Sequence, residues 1–166
     1  MQMTENSYPS ELLTRAAAIK MILMDVDGVL TDGKLYYIPG APAGDMVEFK
    51  GFHSHDGLGL HLCNSVGILT GVISGRVSPA TVERARILQM KYVYQGHLDK
   101  TASWQEVLRD SGLSAAETAF IGDDLPDVPL LRRAGLAVAV GDARSELKQI
   151  AHFVTPSNGG NGAVRD

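Results

Sequence analysis

Short apolar segments alternate with helical patterns along this chain, and this alternation restricts the possible folds more than any other feature. Helix signals separate the apolar segments, such as Ser78-Pro79 before one helical pattern and Gly112 after another. Alternation of this kind is typical of a parallel sheet covered by helices on both faces. We therefore predict a doubly wound, Rossmann-like α/β domain with buried strands at residues 20–24, 68–73, 92–94, 119–121 and 136–140.

The bulk composition is that of one soluble globular domain, residues 1–166. The 166 residues can bury a core without disulfides, and the formal net charge of −4 argues against nucleic acid or an anionic membrane as a partner. The apolar run at residues 21–24 is too short for a signal or membrane segment. We expect a cytoplasmic protein.

Two regions interrupt the alternation. Residues 34–50, "KLYYIPGAPAGDMVEFK", contain two β-like runs around a Pro/Gly turn and are predicted to form a protruding hairpin. Residues 157–166, "SNGGNGAVRD", are rich in glycine and are predicted to be a flexible tail or a loop. The remaining connections have room only for single helices and strands, so we expect no cap domain over the sheet.

Polar residues cluster where the predicted strands end. In open α/β sheets the carboxyl ends of the strands border the ligand crevice, so residues that follow different strands are expected to meet there. Any one of these residues could be a helix cap, a turn or a solvated side chain, but the whole set is not explained in that way. The set consists of Asp25, Asp27, Ser74, Gly75, Arg76, Lys100, Asp123, Asp124 and Asp127.

This set suits phosphoryl transfer through an aspartyl phosphate. Asp25 can attack phosphorus without first losing a proton, and Asp27 can act as general acid and then as general base. Crowded carboxylates repel one another, and their hard oxygen ligands favour Mg²⁺, held by Asp25, Asp123 and the backbone carbonyl of Asp27. Ser74, nearby backbone N–H groups such as that of Gly75, and Lys100 would hold the phosphoryl oxygens.

The segments "DVDGVLTDG", "ISGR", "GHLDK" and "GDDLPD", in this order, resemble the four motifs of the haloacid dehalogenase superfamily of phosphatases. Within it, "DGLG", "SGRVSP" and "GGNGAVRD" resemble the branch that acts on 3-deoxy-D-manno-octulosonate 8-phosphate. The resemblance implies a capless, Mg²⁺-dependent phosphatase for a phosphorylated sugar acid and a homotetramer.

The resemblance also assigns residues by position. Metal ligands fall on Asp25, Asp27 and Asp123. We predict that Gly75 and His55 also contact the substrate; His55 stands where members usually carry arginine before "DGLG". The substrate and phosphate contacts that the resemblance implies are His53, Ser74, Arg76, Arg84 and Lys100.

Other functions fit the sequence less well. A nonulosonate 9-phosphate is an alternative substrate, and a non-catalytic oligomerisation module of this fold is an alternative function. A signalling receiver domain would carry its phosphorylated aspartate after the third strand, where this chain reads "QGH". The pair His53 and His55 could suggest zinc, but no third nitrogen or sulfur ligand is recognisable nearby in the sequence.

Overall fold

The main sheet consists of six parallel strands in the order β5-β4-β1-β6-β7-β8, and a separate two-stranded hairpin is formed by β2 and β3. The structure is a computed structural model that describes residues 8–40 and 44–166. In chain order its elements are α1 (Ser10–Ala17), β1 (Met21–Met24), β2 (Tyr36–Pro39), β3 (Met46–Phe49), α2 (Ser54–Ser65), β4 (Leu69–Ser74), α3 (Pro79–Ile87), β5 (Tyr92–Gln95), α4 (Thr101–Ser111), β6 (Thr118–Gly122), α5 (Val128–Leu131), β7 (Leu136–Ala139), α6 (Ser145–Lys148) and β8 (Phe153–Val154).

The strand order confirms the predicted doubly wound fold. β1 lies between β4 and β6, and the direction of winding reverses there, because the chain first proceeds to β4 and β5 and later to β6, β7 and β8. Right-handed crossovers of this topology place helices on both faces of the sheet. The reversal opens a crevice at the carboxyl end of β1, directly before Asp25.

The core forms where the apolar strands meet the helices. Leu23 and Val72 on neighbouring strands are fully buried. Trp104 of α4 is 1% exposed and meets the ring of Phe120 edge to face, with 6.1 Å between ring centroids. Such aromatic contacts add to the stabilisation from apolar burial. The core therefore fixes α4 against β6, and both elements lead to residues of the crevice.

Several local signals act as the sequence indicates. Pro79 occupies the first turn of α3, and Gly112 ends α4 in the left-handed conformation, with φ of 69°. Ser114 and Glu117 form a capping box on a short 3-10 turn. These signals depend on neighbours in sequence, which is why they can be recognised without the fold.

Three short elements, α1, α6 and β8, were not predicted. β8 has only two residues and α6 has four, which is too short for a periodic pattern. α1 is amphipathic, but none of its eight residues is buried. The sequence pattern at residues 127–134 predicts a helix of eight residues, but the structure has a 3-10 turn at Leu125–Asp127 followed by the four-residue α5. These elements are positioned mainly by packing.

The tail, residues 157–166, is packed in the structure, as expected of a loop rather than of a flexible segment. Residues 157–166 form consecutive turns packed on the rest of the chain, and Ala163 is 2% exposed. The Gly159 N–H donates to Asp142 Oδ1 at 2.9 Å, and the Gly160 N–H donates to the Val29 carbonyl at 2.9 Å. The glycines that suggested flexibility instead permit close backbone packing.

The hairpin follows the prediction for residues 34–50, of which residues 41–43 lie outside the described part. Tyr36 stacks on Phe49 across the two strands with 5.2 Å between ring centroids. Tyr37, Ile38 and Val47 are each about half exposed. The hairpin therefore presents an apolar surface. In the described residues, no helix has the length and apolar character needed to cross a bilayer.

Replacing Trp104 by alanine should lower the free energy of unfolding by about 3–5 kcal/mol, because it leaves a large cavity beside Phe120. Urea denaturation followed by circular dichroism measures the change. The control is Val82→Ala, at a half-exposed position of α3, which should change the free energy by less than about 0.5 kcal/mol. Equal effects of the two substitutions would contradict this account of the core.

Candidate active site

A cleft of about 290 Å³ opens at the carboxyl end of the parallel strands. It collects residues from four strand ends that are far apart in sequence. Its lining includes seven residues predicted as site residues, namely Asp25, Asp27, Ser74, Gly75, Arg76, Lys100 and Asp123, and also Gly33, Leu98, Asp124, Pro126 and Asp127. The strand order thus brings together the greater part of the predicted site.

The loop after β1 turns sharply and carries the first two acids. The Asp25 N–H continues the sheet by donating to the Ile121 carbonyl at 3.0 Å. Gly28 has φ of 92°, a conformation that L side chains rarely adopt. A Cβ at Gly28 would also overlap the carboxylate of Asp123. Glycine at this position therefore permits both the turn and the approach of the acid that follows β6.

Three carboxylates and one ammonium form the centre of the cleft. Oxygen atoms of Asp25, Asp123 and Asp127 lie within 4.8 Å of one another. Lys100 Nζ lies 2.8 Å from Asp25 Oδ1 and 2.6 Å from Asp127 Oδ1. Asp127 Oδ2 in turn accepts a hydrogen bond from the Asp123 N–H at 3.0 Å. Lys100 and Asp127 are almost fully buried, so this network positions its members rigidly.

The buried carboxylates carry more negative charge than Lys100 can balance. Burial raises the pKa of Asp25 to about 6, although Lys100 acts in the opposite direction. Burial, followed by the charges of Asp25 and Asp127, raises the pKa of Asp123 to about 8. Burial also raises the pKa of Asp127. A hard divalent cation such as Mg²⁺ would relieve this repulsion, and the cluster of carboxylate oxygens suits it.

Asp127 is a central residue that the sequence analysis placed at the strand end without a role. It is 1% exposed, and it accepts hydrogen bonds from Lys100 Nζ and from the Asp123 N–H. The signal was present in "GDDLPD", in which a third acid follows Asp123 by four residues. Asp124, in contrast, acts as a local cap, since its Oδ1 accepts from the Leu125 N–H at 2.7 Å.

The hairpin brings two further charged residues, Glu48 and Lys50, into contact with residues that line the cleft, and neither is among the predicted site residues. Lys50 pairs with Asp27 and lies 3.2 Å from Glu48 Oε1, and its side chain is 2% exposed. Arg76 pairs with Glu48, and its Nε lies 3.6 Å from Asp27 Oδ2. Alternation in "EFK" places residues 48 and 50 on one face of a strand, and this was the available signal.

Three predicted substrate residues do not line the cleft in the described part of the chain. The His53 ring caps α2 by accepting from the His55 N–H at 3.3 Å, and the two rings meet edge to face. His53 lines a second cavity of about 230 Å³ together with Asp32. Arg84 donates to the His53 carbonyl at 3.3 Å and lies over the ring of Phe52. Within one chain these residues shape the turn before α2.

Comparison with known proteins supports an enzymatic site. A family model described as haloacid dehalogenase-like hydrolase matches residues 82–165. A 3-deoxy-D-manno-octulosonate 8-phosphate phosphatase from Yersinia pestis is 37% identical over 156 residues, which cover 94% of this chain and 81% of that protein. The phosphatase of the same name from Haemophilus influenzae is 38% identical over 148 residues, covering 89% of this chain and 79% of that protein.

Solved structures show the same similarity. A crystal structure of 3-deoxy-D-manno-octulosonate 8-phosphate phosphatase from Moraxella catarrhalis, in complex with a magnesium ion, a phosphate ion and a KDO molecule, superposes with a TM-score of 0.87 at 35% identity and covers 95% of this chain and 88% of that one. A probable YrbI family phosphatase from Pseudomonas syringae gives a TM-score of 0.88 at 39% identity, covering 95% of this chain and 86% of that one. The similarity extends over nearly the whole chain.

The carboxylate cluster predicts a pH-dependent stability in the absence of divalent cations. Because the pKa of Asp123 is raised from 3.8 to about 8, folding favours its protonated form. The stabilisation of the folded state by this protonated carboxyl is fully present below pH 3.8 and is lost as the pH rises through about 8. After chelation, the melting temperature of the wild type should therefore fall relative to that of Asp123→Asn between about pH 5 and about pH 8.

Differential scanning calorimetry at a series of pH values measures this difference. Adding Mg²⁺ at pH 8 should raise the melting temperature of the wild type more than that of Asp123→Asn, since only the wild type keeps the full ligand set. Parallel pH curves for the two proteins would contradict the charge balance described here.

Proposed function

This chain belongs to the 3-deoxy-D-manno-octulosonate 8-phosphate phosphatase family of haloacid dehalogenase-like hydrolases, and on that premise we propose that it hydrolyses 3-deoxy-D-manno-octulosonate 8-phosphate with Mg²⁺ as cofactor. The observation that carries the proposal is the joining of Asp25, Lys100 and Asp123 in one cleft at the switch point of the sheet. With Asp127 beside them, three mutually repelling carboxylates meet at this cleft, which a structural role alone would not require.

The metal would be held by the carboxylates of Asp25 and Asp123 and by the backbone carbonyl of Asp27, with Asp127 beside them. When bound, Mg²⁺ offsets the negative charge of the acids and of the substrate phosphate. Lys100 would add a second positive charge beside these acids, because its ammonium contacts both Asp25 and Asp127. Together these charges make the approach of a phosphate dianion to Asp25 favourable.

Asp25 is the nucleophile in this mechanism. One of its carboxylate oxygens attacks phosphorus, and the bond between phosphorus and the sugar oxygen breaks, which leaves an aspartyl phosphate. Ser74, the Gly75 N–H and Lys100 would hold the phosphoryl oxygens as their charge develops. Water then attacks the aspartyl phosphate, releasing inorganic phosphate and regenerating the Asp25 carboxylate.

Asp27 moves the protons. It donates a proton to the departing sugar oxygen and later accepts one from the attacking water. Lys50 and Arg76 contact its carboxylate and limit its orientation. Because Glu48 also pairs with both cations, an anionic substrate must compete with it for them. Entry of the substrate is therefore coupled to the base of the hairpin.

Steady-state kinetics with a panel of phosphate esters tests the function. We expect the highest kcat/KM with 3-deoxy-D-manno-octulosonate 8-phosphate, a lower value with a nonulosonate 9-phosphate and the lowest with p-nitrophenyl phosphate. Asp25→Asn should lose all measurable turnover, because an amide cannot form the acyl phosphate. Asp27→Asn should lower kcat about 10²–10⁴-fold.

The matched control is Asp110→Asn, the same exchange at a side chain that is 62% exposed, and it should retain activity. Melting curves of each variant verify folding. More than a tenth of the wild-type activity in Asp25→Asn would exclude the mechanism. Absence of turnover with every ester, in a folded and Mg²⁺-loaded protein, would favour a non-catalytic oligomerisation module.

The exposed hairpin also supports a proposal about assembly, namely that the chain forms a homotetramer through it. A two-stranded hairpin is marginal in isolation, and its free edges and apolar side chains favour burial against another surface. Tyr37, Val47 and Phe49 are each 44–49% exposed in the single chain. Packing between subunits would cover them and could bring His55 of one subunit toward the substrate of another.

Light scattering at assay concentration should give the mass of a tetramer for the wild type and a smaller mass for Val47→Asp. The substitution introduces a charge at the centre of the hairpin surface. The control is Val82→Asp, at a comparably exposed position of α3 away from the hairpin, which should keep the wild-type mass. A fully active wild-type monomer would disprove the assembly proposal.

A further inference from the structure

Helix α2, which contacts the tail at residues 157–166, contains a buried acid that takes no part in the proposed phosphatase mechanism. Asp56 lies in the first turn of α2 and is 1% exposed. Acids in a first helical turn usually reach the favourable end of the helix dipole while remaining in water. Burial of this carboxylate is costly unless other groups satisfy it. Its contacts therefore indicate a specific role.

Asp56 contacts the backbone of the tail. Its Oδ1 accepts a hydrogen bond from the Arg165 N–H at 3.0 Å. Burial raises the pKa of this carboxyl, although the backbone N–H groups of the tail, at Arg165, Gly162 and Val164, act in the opposite direction. Next to it, Gly59 lies directly against the tail, and a Cβ there would make ordinary van der Waals contact with Arg165 Cα at 3.5 Å. Asp56 and Gly59, both within "HDGLGL", thus form part of the surface on which residues 162–165 pack.

The opposite end of the tail contacts the catalytic loop. The Gly160 N–H donates to the Val29 carbonyl at 2.9 Å. A Cβ at Gly159 would overlap the Gly28 carbonyl, and a Cβ at Gly160 would overlap the backbone of Thr31 and Asp32. The tail therefore packs, backbone against backbone, directly behind the turn that follows Asp25 and Asp27.

We propose that Asp56 is a positioning residue that fixes the tail, residues 157–166, as a brace behind the catalytic loop of the same chain. The inference rests on the proposed function, because it assigns the brace the task of keeping Asp25 and Asp27 in their reactive arrangement. Displacement of a reacting group by about 1 Å can lower a rate about 10²-fold. The brace acts on placement of the nucleophile, so kcat depends on it more than KM does.

Two substitutions release the brace at its two ends. In Asp56→Asn the negative charge is lost and only one oxygen remains to accept from the N–H groups of the tail, which weakens the contact. In Gly160→Ala the new methyl group pushes the tail away from Thr31 and Asp32. The matched control is Gly112→Ala, because Gly112 has φ of 69° and Gly160 has φ of 68°, but no described atom lies within 4 Å of a Cβ at Gly112.

The measurements are amide hydrogen exchange, melting temperature and kinetics with p-nitrophenyl phosphate and Mg²⁺. In Asp56→Asn and Gly160→Ala, the amides of residues 28–33 should exchange at least about 10-fold faster, while those of β4 remain protected. The kcat should fall about 10–100-fold with KM within about two-fold. Gly112→Ala should show the melting-temperature loss due to strain but wild-type kcat and loop exchange.

Unchanged exchange of residues 28–33 in both variants would overturn the proposal, as would a fall in kcat without faster loop exchange. Equal loss of kcat in Gly112→Ala and Gly160→Ala would show general destabilisation and would also overturn it. If the wild type hydrolyses no ester, the proposed function fails, whereas hydrogen exchange still decides whether Asp56 and the tail restrain the loop.

Discussion

The structure of the cleft depends on the contact of one buried ammonium, that of Lys100, with the carboxylates of Asp25 and Asp127. Without a cation between them, these acids could not both remain charged in a buried position. The contact also connects β1 with the start of α4 and with the turn after β6. The remaining excess of negative charge, seen in the raised pKa of Asp123, creates the demand for a divalent ion.

The catalytic loop is restrained by backbone packing on more than one side. Gly28 lets Asp123 approach from the direction of β6, and the glycines of the tail approach the same loop from behind. In both contacts a side chain would keep the surfaces apart. The absence of side chains at these glycines therefore has a structural purpose at the site, although glycine-rich sequence is more often associated with mobility.

The hairpin combines two roles that follow from strand periodicity. Glu48 of β3 contacts Arg76, and Lys50, directly after β3, contacts Asp27. Most of the apolar residues of the hairpin remain exposed in the single chain. One short element thus carries both the charged residues that contact the cleft and an exposed apolar surface. A change in how the hairpin packs would also move Lys50, which contacts Asp27, and Glu48, which pairs with Arg76.

The sequence by itself determined the alternation of strands and helices, the doubly wound fold and the chemistry of the residues at the strand ends, because these follow from local periodicity, capping signals and the geometry of parallel sheets. The tertiary structure alone decided which charges pair. It gave Asp127 and Lys50 their contacts, placed His53 and Arg84 at the turn before α2, and packed the tail against Val29. The physical reason is that these contacts join residues far apart in the chain, and burial of a polar group depends on what the fold places around it.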